Sequence, residues 1–206
     1  FHLWGNNAVI AKSRIENNEV TEHRPSKSSG VGAGLSFSGG TSGTITESTI
    51  RNNFTTSGSG GGIYSNGNLN IYHTTISHNT AVAGGGYLND SLGSATFINT
   101  TIANNVASFR GGAFFGKGQR SSNVTFYYCT ISNNTGQDNA GGVIQISSGQ
   151  VTARGTIFSD NISAGWAPDF MGSLVSNGYN LIHRIGGVII VGTTTGNVTG
   201  VSAKLG

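Results

Sequence analysis

Carboxylates and basic side chains that could act in catalysis are few in this chain and are scattered along it. The eight carboxylate side chains are Glu16, Glu19, Glu22, Glu47, Asp90, Asp138, Asp160 and Asp169. Enzymes that cleave polysaccharides need two or three carboxylates close together, or carboxylates that hold Ca²⁺ beside a basic side chain. The densest group of charges comprises Arg110, Lys117 and Arg120, with Asp90 before them and Asp138 after them. Because variable loops collect charged residues anyway, we interpret this group as loop solvation.

Two histidines and one cysteine are the remaining candidates for metal or nucleophilic chemistry. His73 and His78 occupy positions that hold Asn or Glu elsewhere in the sequence, which favours solvated side chains over a metal pair. Cys129 is the only cysteine, so it cannot form an intramolecular disulfide. A small buried thiol is a simpler interpretation than a nucleophile. We therefore predict no catalytic residue, no cofactor and no metal site.

A repeat determines where these side chains lie. Its clearest sign is a series of isoleucines that follow a threonine: Ile50, Ile76, Ile102, Ile131 and Ile157, at spacings of 26, 26, 29 and 26 residues. Ile15 extends the series at its start. Self-similarity at such a period is typical of stacked supersecondary units, so the chain is expected to be a solenoid.

The pattern inside one repeat indicates strands. A second apolar column stands five residues before the isoleucines: Ile10, Ile45, Ile71, Phe97 and Phe126. Five is odd, so a bend must separate the two apolar residues if both point inward. Residues suited to that outward bend are Lys12, Glu47, His73, Asn99, Tyr128 and Arg154. Short apolar segments broken by Gly, Asn and Ser, without a helical stripe, favour β-coils over helix pairs.

These observations predict an all-β protein. We expect a right-handed parallel β-helix of about seven coils, with three short strands per coil. Residues 1–206 form a single domain in this interpretation, and residues 166–206 form irregular closing coils. The chain begins in mid-pattern, which suggests a fragment of a larger protein.

Polar and glycine columns fit the bends of such coils. An asparagine stands three residues after most core isoleucines: Asn18, Asn53, Asn79, Asn105 and Asn134. Asparagine tolerates positive φ, and its amide can bond to the same group one coil away, so we predict a structural ladder. Glycine pairs such as Gly61-Gly62 and Gly85-Gly86 are expected at another bend, where a Cβ would collide with the neighbouring coil.

Two outward columns could bind a ligand. Tyr72, Ile98 and Tyr127 follow the upstream core positions and would form an apolar strip for a sugar ring or a partner strand, although cross-coil stabilisation is the simpler explanation. The second column precedes the core isoleucines and reads Thr49, Thr75, Thr101, Thr130 and Thr156. A threonine array could order water as in ice-binding solenoids, but threonine is also a good exposed strand residue.

Composition excludes other classes of protein. The formal charge of +3 comes from basic residues spread along the chain without a cluster, so we predict no nucleic-acid partner. No apolar run is long enough to span a bilayer. Glycine contributes 34 residues and charged residues only 9%, which fits a narrow stacked core better than a disordered tail.

The repeat resembles that of a known group of proteins. Ile102-Ala103-Asn104-Asn105 with Gly111-Gly112-Ala113-Phe114 is similar to the repeat of polymorphic outer-membrane proteins and related bacterial surface β-helices. The segment from Ser176 to Ile182 resembles the closing coil of large secreted bacterial β-helix proteins. The resemblance implies a piece of an exported surface or extracellular protein.

Together these features predict an extracellular structural or adhesive module without catalytic activity of its own. Expected partners are a glycan or a host or cell-surface protein, and the uncapped coils could also associate end to end. The alternative is a polysaccharide lyase or glycoside hydrolase on the same scaffold. An ice-binding protein or a self-stacking filament subunit are further alternatives.

Overall fold

The computed structural model describes residues 1–5, 7–21, 32–90, 93–117, 123–137, 142–145, 149–165 and 167–205. In these residues the regular structure consists of 28 β-strands, with turns and bends between them. This part of the chain therefore contains no helix that is long and apolar enough to cross a membrane.

The strands form four faces of the stack, which we name sheets A to D in the order in which each coil meets them; β25 (Phe170–Asn177) joins A and B into one 14-stranded sheet. Sheet A contains β1 (His2–Leu3), β5 (Leu35–Phe37), β9 (Ile63–Ser65), β13 (Tyr87–Asn89), β17 (Phe114–Gly116), β21 (Val143–Gln145) and the start of β25 (Phe170–Asn177). Sheet B contains β2 (Ala8–Ala11), β6 (Gly43–Thr46), β10 (Leu69–Tyr72), β14 (Ala95–Ile98), β18 (Val124–Tyr127), β22 (Val151–Arg154), the end of β25 and β27 (Val188–Thr193). Sheet C contains β3 (Arg14–Glu16), β7 (Thr49–Arg51), β11 (Thr75–Ser77), β15 (Thr101–Ala103), β19 (Thr130–Ser132), β23 (Ile157–Ser159), β26 (Leu181–Ile182) and β28 (Val198–Thr199). Sheet D contains β4 (Glu19–Val20), β8 (Phe54–Thr55), β12 (Thr80–Ala83), β16 (Val106–Arg110), β20 (Thr135–Gly136) and β24 (Ile162–Ser163).

Neighbouring strands in each sheet come from successive coils and pair in parallel. Ile76, for example, lies between Ile50 and Ile102 in register. The prediction of a parallel β-helix is confirmed. The coils differ slightly from the prediction, since the short strands of sheet D give three or four strands per coil, and the described sheets C and D contain eight and six strands.

The core is a continuous column of apolar side chains inside the stack. The sheet C column Ile15, Ile50, Ile76, Ile102 and Ile131 is buried from coil to coil. Aromatic side chains fill the middle of the stack, where the rings of Phe97 and Phe126 are stacked with centroids 5.0 Å apart. Continuous packing from coil to coil removes apolar surface from water along the whole axis, which favours the stacked state.

The predicted register is wrong by one residue in the coil that contains Ile157. Phe158, not Ile157, pairs with Ile131 and is buried, whereas Ile157 is half-buried and pairs with Thr130. Thr156 is correspondingly a buried residue and not a member of the outward threonine file. In the same coil Ala153 pairs with Phe126, so the larger Phe158 fills space that the small Ala153 leaves in the core.

The bend of this coil explains the shift. Gly155 has φ of 58° and lies at the bend where the other coils have Lys12, Glu47, His73, Asn99 and Tyr128. Arg154, which the sequence placed at the bend, is the last residue of β22 and pairs with Tyr127. The Thr-Ile string therefore does not mark the same position in every coil.

Candidate functional site

The ladder asparagines lie in one buried file. The Nδ2 of Asn53 donates to the Oδ1 of Asn79 at 2.9 Å, and the same bond joins Asn79 to Asn105 at 3.0 Å and Asn105 to Asn134 at 2.9 Å. Asn18 donates to Asn53 at the start of the file. Each amide oxygen also accepts the backbone N–H of the asparagine in the preceding coil, which makes the file a structural element.

Positive φ is found one residue before the ladder. The residues in this conformation are Asn17, Asn52, His78, Asn104, Asn133 and Asp160. At this bend one residue adopts the left-handed backbone conformation, and the next residue supplies the buried amide. In the shifted coil the ladder residue is Asn161, which follows Asp160.

The predicted candidates for metal and nucleophilic chemistry are apart from one another. His73 and His78 are exposed at opposite ends of β11, each at a different bend. Within the described residues no three His, Cys, Asp or Glu side chains are grouped so that they could hold a metal ion. Cys129 is buried between Thr100 and Thr156 in its column, and burial raises the pKa of its thiol to about 11. Such a thiol is protonated at neutral pH.

The charge group around the glycine pair is divided between sheets. Arg110 ends β16 in sheet D and its guanidinium lies over the ring of Phe109, whereas Lys117 follows β17 in sheet A, with its Nζ 3.9 Å from Asp90 Oδ2. Asp90 also accepts the hydroxyl of Tyr64 at 2.9 Å. Arg120 and Asp138, the other two members of this group, lie outside the described residues.

The other anchored carboxylates hold chain segments together. Glu16 accepts Arg51 Nε at 2.6 Å and Arg14 at 3.0 Å, and these bonds lower its pKa. Asp160 accepts the hydroxyls of Ser159 and Ser202. These contacts give the carboxylates structural partners.

The apolar strip predicted on sheet B is formed by adjacent strands. Tyr72, Ile98 and Tyr127 lie on β10, β14 and β18 in register, and all three side chains are half-buried on the outer face. The next member of this file is Arg154, which pairs with Tyr127. Asn177 and Thr193 continue the file on β25 and β27.

Two tyrosines at the bend between sheets B and C extend this strip, and we call this bend the B–C corner. Tyr128, Gly155, Tyr179 and Gly196 succeed one another there in four consecutive coils, with φ of 56°, 58°, 60° and 69°. Tyr128 and Tyr179 are 57% and 61% exposed. They are two coils apart, which corresponds to about 9.6 Å along the axis.

Each tyrosine ring at the B–C corner lies over the glycine of the next coil. A Cβ on Gly155 would be only 2.7 Å from Cδ1 of Tyr128, and a Cβ on Gly196 would collide with the ring of Tyr179. Left-handed backbone is unfavourable for a large aromatic residue, and strain of this kind is often found at functional sites. The alternation of tyrosine and glycine therefore creates two flat, exposed aromatic surfaces.

A groove of about 610 Å³ lies beside these rings. Its lining residues are Tyr127, Tyr128, Arg154, Asn177, Tyr179, Thr193 and Thr195. The guanidinium carbon of Arg154 is 6.0 Å from the centre of the Tyr179 ring. Apolar ring faces next to hydroxyl, amide and guanidinium donors suit a ligand that is itself both flat and rich in hydroxyl groups, such as a sugar chain.

Sequence reasoning found only part of this groove. Tyr127 belonged to the predicted strip, whereas Tyr128 and Arg154 were assigned to the bend without a binding role. Tyr179 was noted only within the closing coil. The alternation of tyrosine and glycine could have revealed the site, but it becomes visible only when Gly155 is aligned with Tyr128.

Comparison with known proteins agrees with the fold. The family model described as right handed beta helix region matches residues 1–199. Comparisons with curated proteins and with solved structures give no significant match. Because the family match covers nearly the whole chain and the coils stack in parallel, this chain belongs to the right-handed β-helix family.

Proposed function

We propose that this chain is an adhesive β-helix module of an exported bacterial surface protein, and that it binds a polysaccharide at the B–C corner. The observation that carries the proposal is the pair of exposed rings of Tyr128 and Tyr179, each lying over a glycine. Sugar rings bind to such flat aromatic faces through their apolar C–H surfaces.

The shape of the surface supports an extended ligand. Tyr127 lies in the coil of Tyr128, and Ile98 and Tyr72 continue the apolar surface along sheet B over two further coils. A chain that lies along the axis would meet one outward side chain about every 4.8 Å. A repeating polymer matches this periodic surface better than a small molecule does.

Binding to a panel of soluble polysaccharides tests the proposal. The double variant Tyr128→Ser with Tyr179→Ser should weaken glycan binding about tenfold or more, because each substitution removes an aromatic ring on which a sugar can stack. The variant Phe54→Ser is the matched control, because it removes an exposed aromatic ring from sheet D, away from the groove. Equal glycan binding by the wild type and the double variant would contradict the proposal.

The strip on sheet B has its own variant. Tyr72→Ser with Tyr127→Ser should shorten the surface and lower the affinity for long chains more than for short oligosaccharides. An assay for new reducing ends or unsaturated products on the same panel tests the enzymatic alternative, and we expect no product.

A further inference from the structure

The charge of the groove indicates which sugars it binds. Arg154 is the only charged side chain among the seven lining residues, and the others are tyrosine, threonine and asparagine. The guanidinium is exposed, and no carboxylate of the described residues forms an ion pair with it. An exposed cation without a partner carboxylate is available to an anionic ligand.

The position of Arg154 is central to the aromatic surface. It precedes Gly155, whose coil lies between the coils of Tyr128 and Tyr179. In the file of outward residues it follows Tyr127, so the surface changes from apolar to cationic at this coil. A sugar chain that covers both rings must pass the guanidinium.

The donors around Arg154 suit a carboxylate. A guanidinium offers a planar pair of N–H donors that matches the two oxygens of a carboxylate. Asn177, Thr193 and Thr195 add amide and hydroxyl donors on the next coils. The ring of Tyr179, whose centre is 6.0 Å from the guanidinium carbon, adds an aromatic surface beside these donors.

We propose that the groove binds an acidic polysaccharide and that Arg154 pairs with the carboxylate of a uronic acid unit between Tyr128 and Tyr179. This inference rests on the proposed function, since it assigns the class of sugar that the aromatic surface binds. It gives Arg154 the role of a specificity-determining residue.

Titration with polygalacturonate, with its methyl ester and with a neutral glucan tests the inference. Wild-type protein should bind polygalacturonate at least about tenfold more tightly than the methyl ester, because esterification removes the charge-assisted contact. Arg154→Gln should abolish this preference, and Arg154→Lys should restore only part of it. Lys12→Gln is the matched control, because it removes the same charge at the B–C corner four coils away from Tyr128.

Each result supports or contradicts a distinct part of the interpretation. Loss of the preference in Arg154→Gln but not in Lys12→Gln supports the carboxylate contact. Tight binding of the neutral glucan with no effect of Arg154→Gln would overturn the inference and leave the proposed function intact. Failure of the wild type to bind any of the three polymers would overturn both. Equal binding of dextran sulfate and polygalacturonate, with Arg154→Lys as effective as wild type, would overturn the assignment of a carboxylate.

Discussion

The side-chain amide of Asn161 donates a 2.8 Å hydrogen bond to Oδ1 of Asp169, eight residues further along the chain. The preceding bonds of the asparagine ladder join residues of different coils, 26 to 35 positions apart. Asp169 is fully buried, and it accepts the backbone N–H of Asn161 with the same oxygen and that of Arg184 with the other. A carboxylate has no N–H group that would need an acceptor. The ladder therefore ends at Asp169 without an unsatisfied donor. Burial raises the pKa of Asp169, and the hydrogen bonds from Asn161 and Arg184 oppose this effect.

Removal of a central ladder amide should be costly. Asn105 accepts both the backbone and the side-chain N–H of Asn79, and it donates to Asn134 and to the carbonyl of Ile76. Asn105→Ala leaves these buried groups without a partner, so we expect the free energy of unfolding to fall by about 3 kcal/mol. Urea denaturation measures this change. The exposed Asn70 on sheet B is the control, and an equal loss in Asn70→Ala would contradict a specific role for the ladder.

Two buried tyrosines should respond in opposite ways to loss of the hydroxyl group. Tyr87 is fully buried in the core, and its hydroxyl has no hydrogen-bond partner among the described residues. Burial raises its pKa against an opposing effect of the Ser65 side chain, which forms no hydrogen bond of acceptable geometry with it, so the core must accommodate a neutral hydroxyl. Tyr87→Phe should leave the free energy of unfolding unchanged or increase it by about 1 kcal/mol.

Tyr64 is the matched comparison for Tyr87. Its hydroxyl donates to Asp90, and burial together with the Asp90 charge raises its pKa. Tyr64→Phe removes this bond and should lower the free energy of unfolding by about 1–2 kcal/mol. Thermal or urea denaturation of both variants tests the pair. A larger loss in Tyr87→Phe than in Tyr64→Phe would show that the hydroxyl of Tyr87 has a partner in solution.

At the B–C corner, Tyr128 should lower the free energy of unfolding while it contributes to glycan binding. Tyr128 has φ of 56°, which asparagine or glycine adopts with less strain. Tyr128→Asn should raise the free energy of unfolding by about 0.5–1 kcal/mol while weakening glycan binding. Tyr127→Asn is the control, because Tyr127 is half-buried on a regular strand and its loss should destabilise. Lower stability of Tyr128→Asn would mean that the ring packs more strongly on Gly155 than the strained backbone costs.

Acidification should loosen the contact between Asp160 and the residues near the end of the described chain. Burial raises the pKa of Asp160, but hydrogen bonds from Ser159 and Ser202 and the interaction with His183 hold this pKa below its ordinary value of 3.8. A carboxyl with a lowered folded-state pKa stabilises the protein above its unfolded-state value and loses that contribution as the pH falls further. The stability that Asp160 adds should therefore be complete near pH 5 and decline below about pH 4.

Denaturation of wild type and Asp160→Asn between pH 6 and pH 2.5 isolates this contribution. The difference in stability between them should shrink as the pH falls. The Ala203 amide, whose N–H bonds to Ser159, should also lose protection against hydrogen exchange in the wild type, measured relative to its intrinsic exchange rate at each pH. A difference that is independent of pH would exclude Asp160 as the titrating group.

The repeat itself could be predicted from sequence because the residues that form it are buried in every coil. Ile50, Ile76 and Ile102 keep one spacing since each must point into the same narrow core. The error at Ile157 arose because a string match cannot distinguish an inward from an outward residue when a coil changes its bend. In that coil sheet B contributes the small Ala153 to the core and sheet C contributes the large Phe158. Only the packed core shows this exchange of side-chain size.

The groove was harder to predict for a different reason. Tyr128 and Tyr179 are 51 positions apart in sequence and share no local motif, so only the stacking of coils brings them to one corner. Sheet D was also missed, because strands such as Phe54–Thr55 are too short to produce a recognisable alternation.

The bends of the stack differ in how much their length varies from coil to coil. Two residues separate sheet B from sheet C in the first six coils, whereas the connections from sheet D to sheet A range from residues 84–86 to residues 21–34. The next coil has three residues at the B–C corner, residues 178–180, and Ile182 still points into the core and pairs with Phe158. The longer connections between sheets D and A likewise leave the parallel pairing of their strands unchanged. Such a protein can diversify or carry a grafted epitope at the connections between sheets D and A while its stack of strands stays invariant.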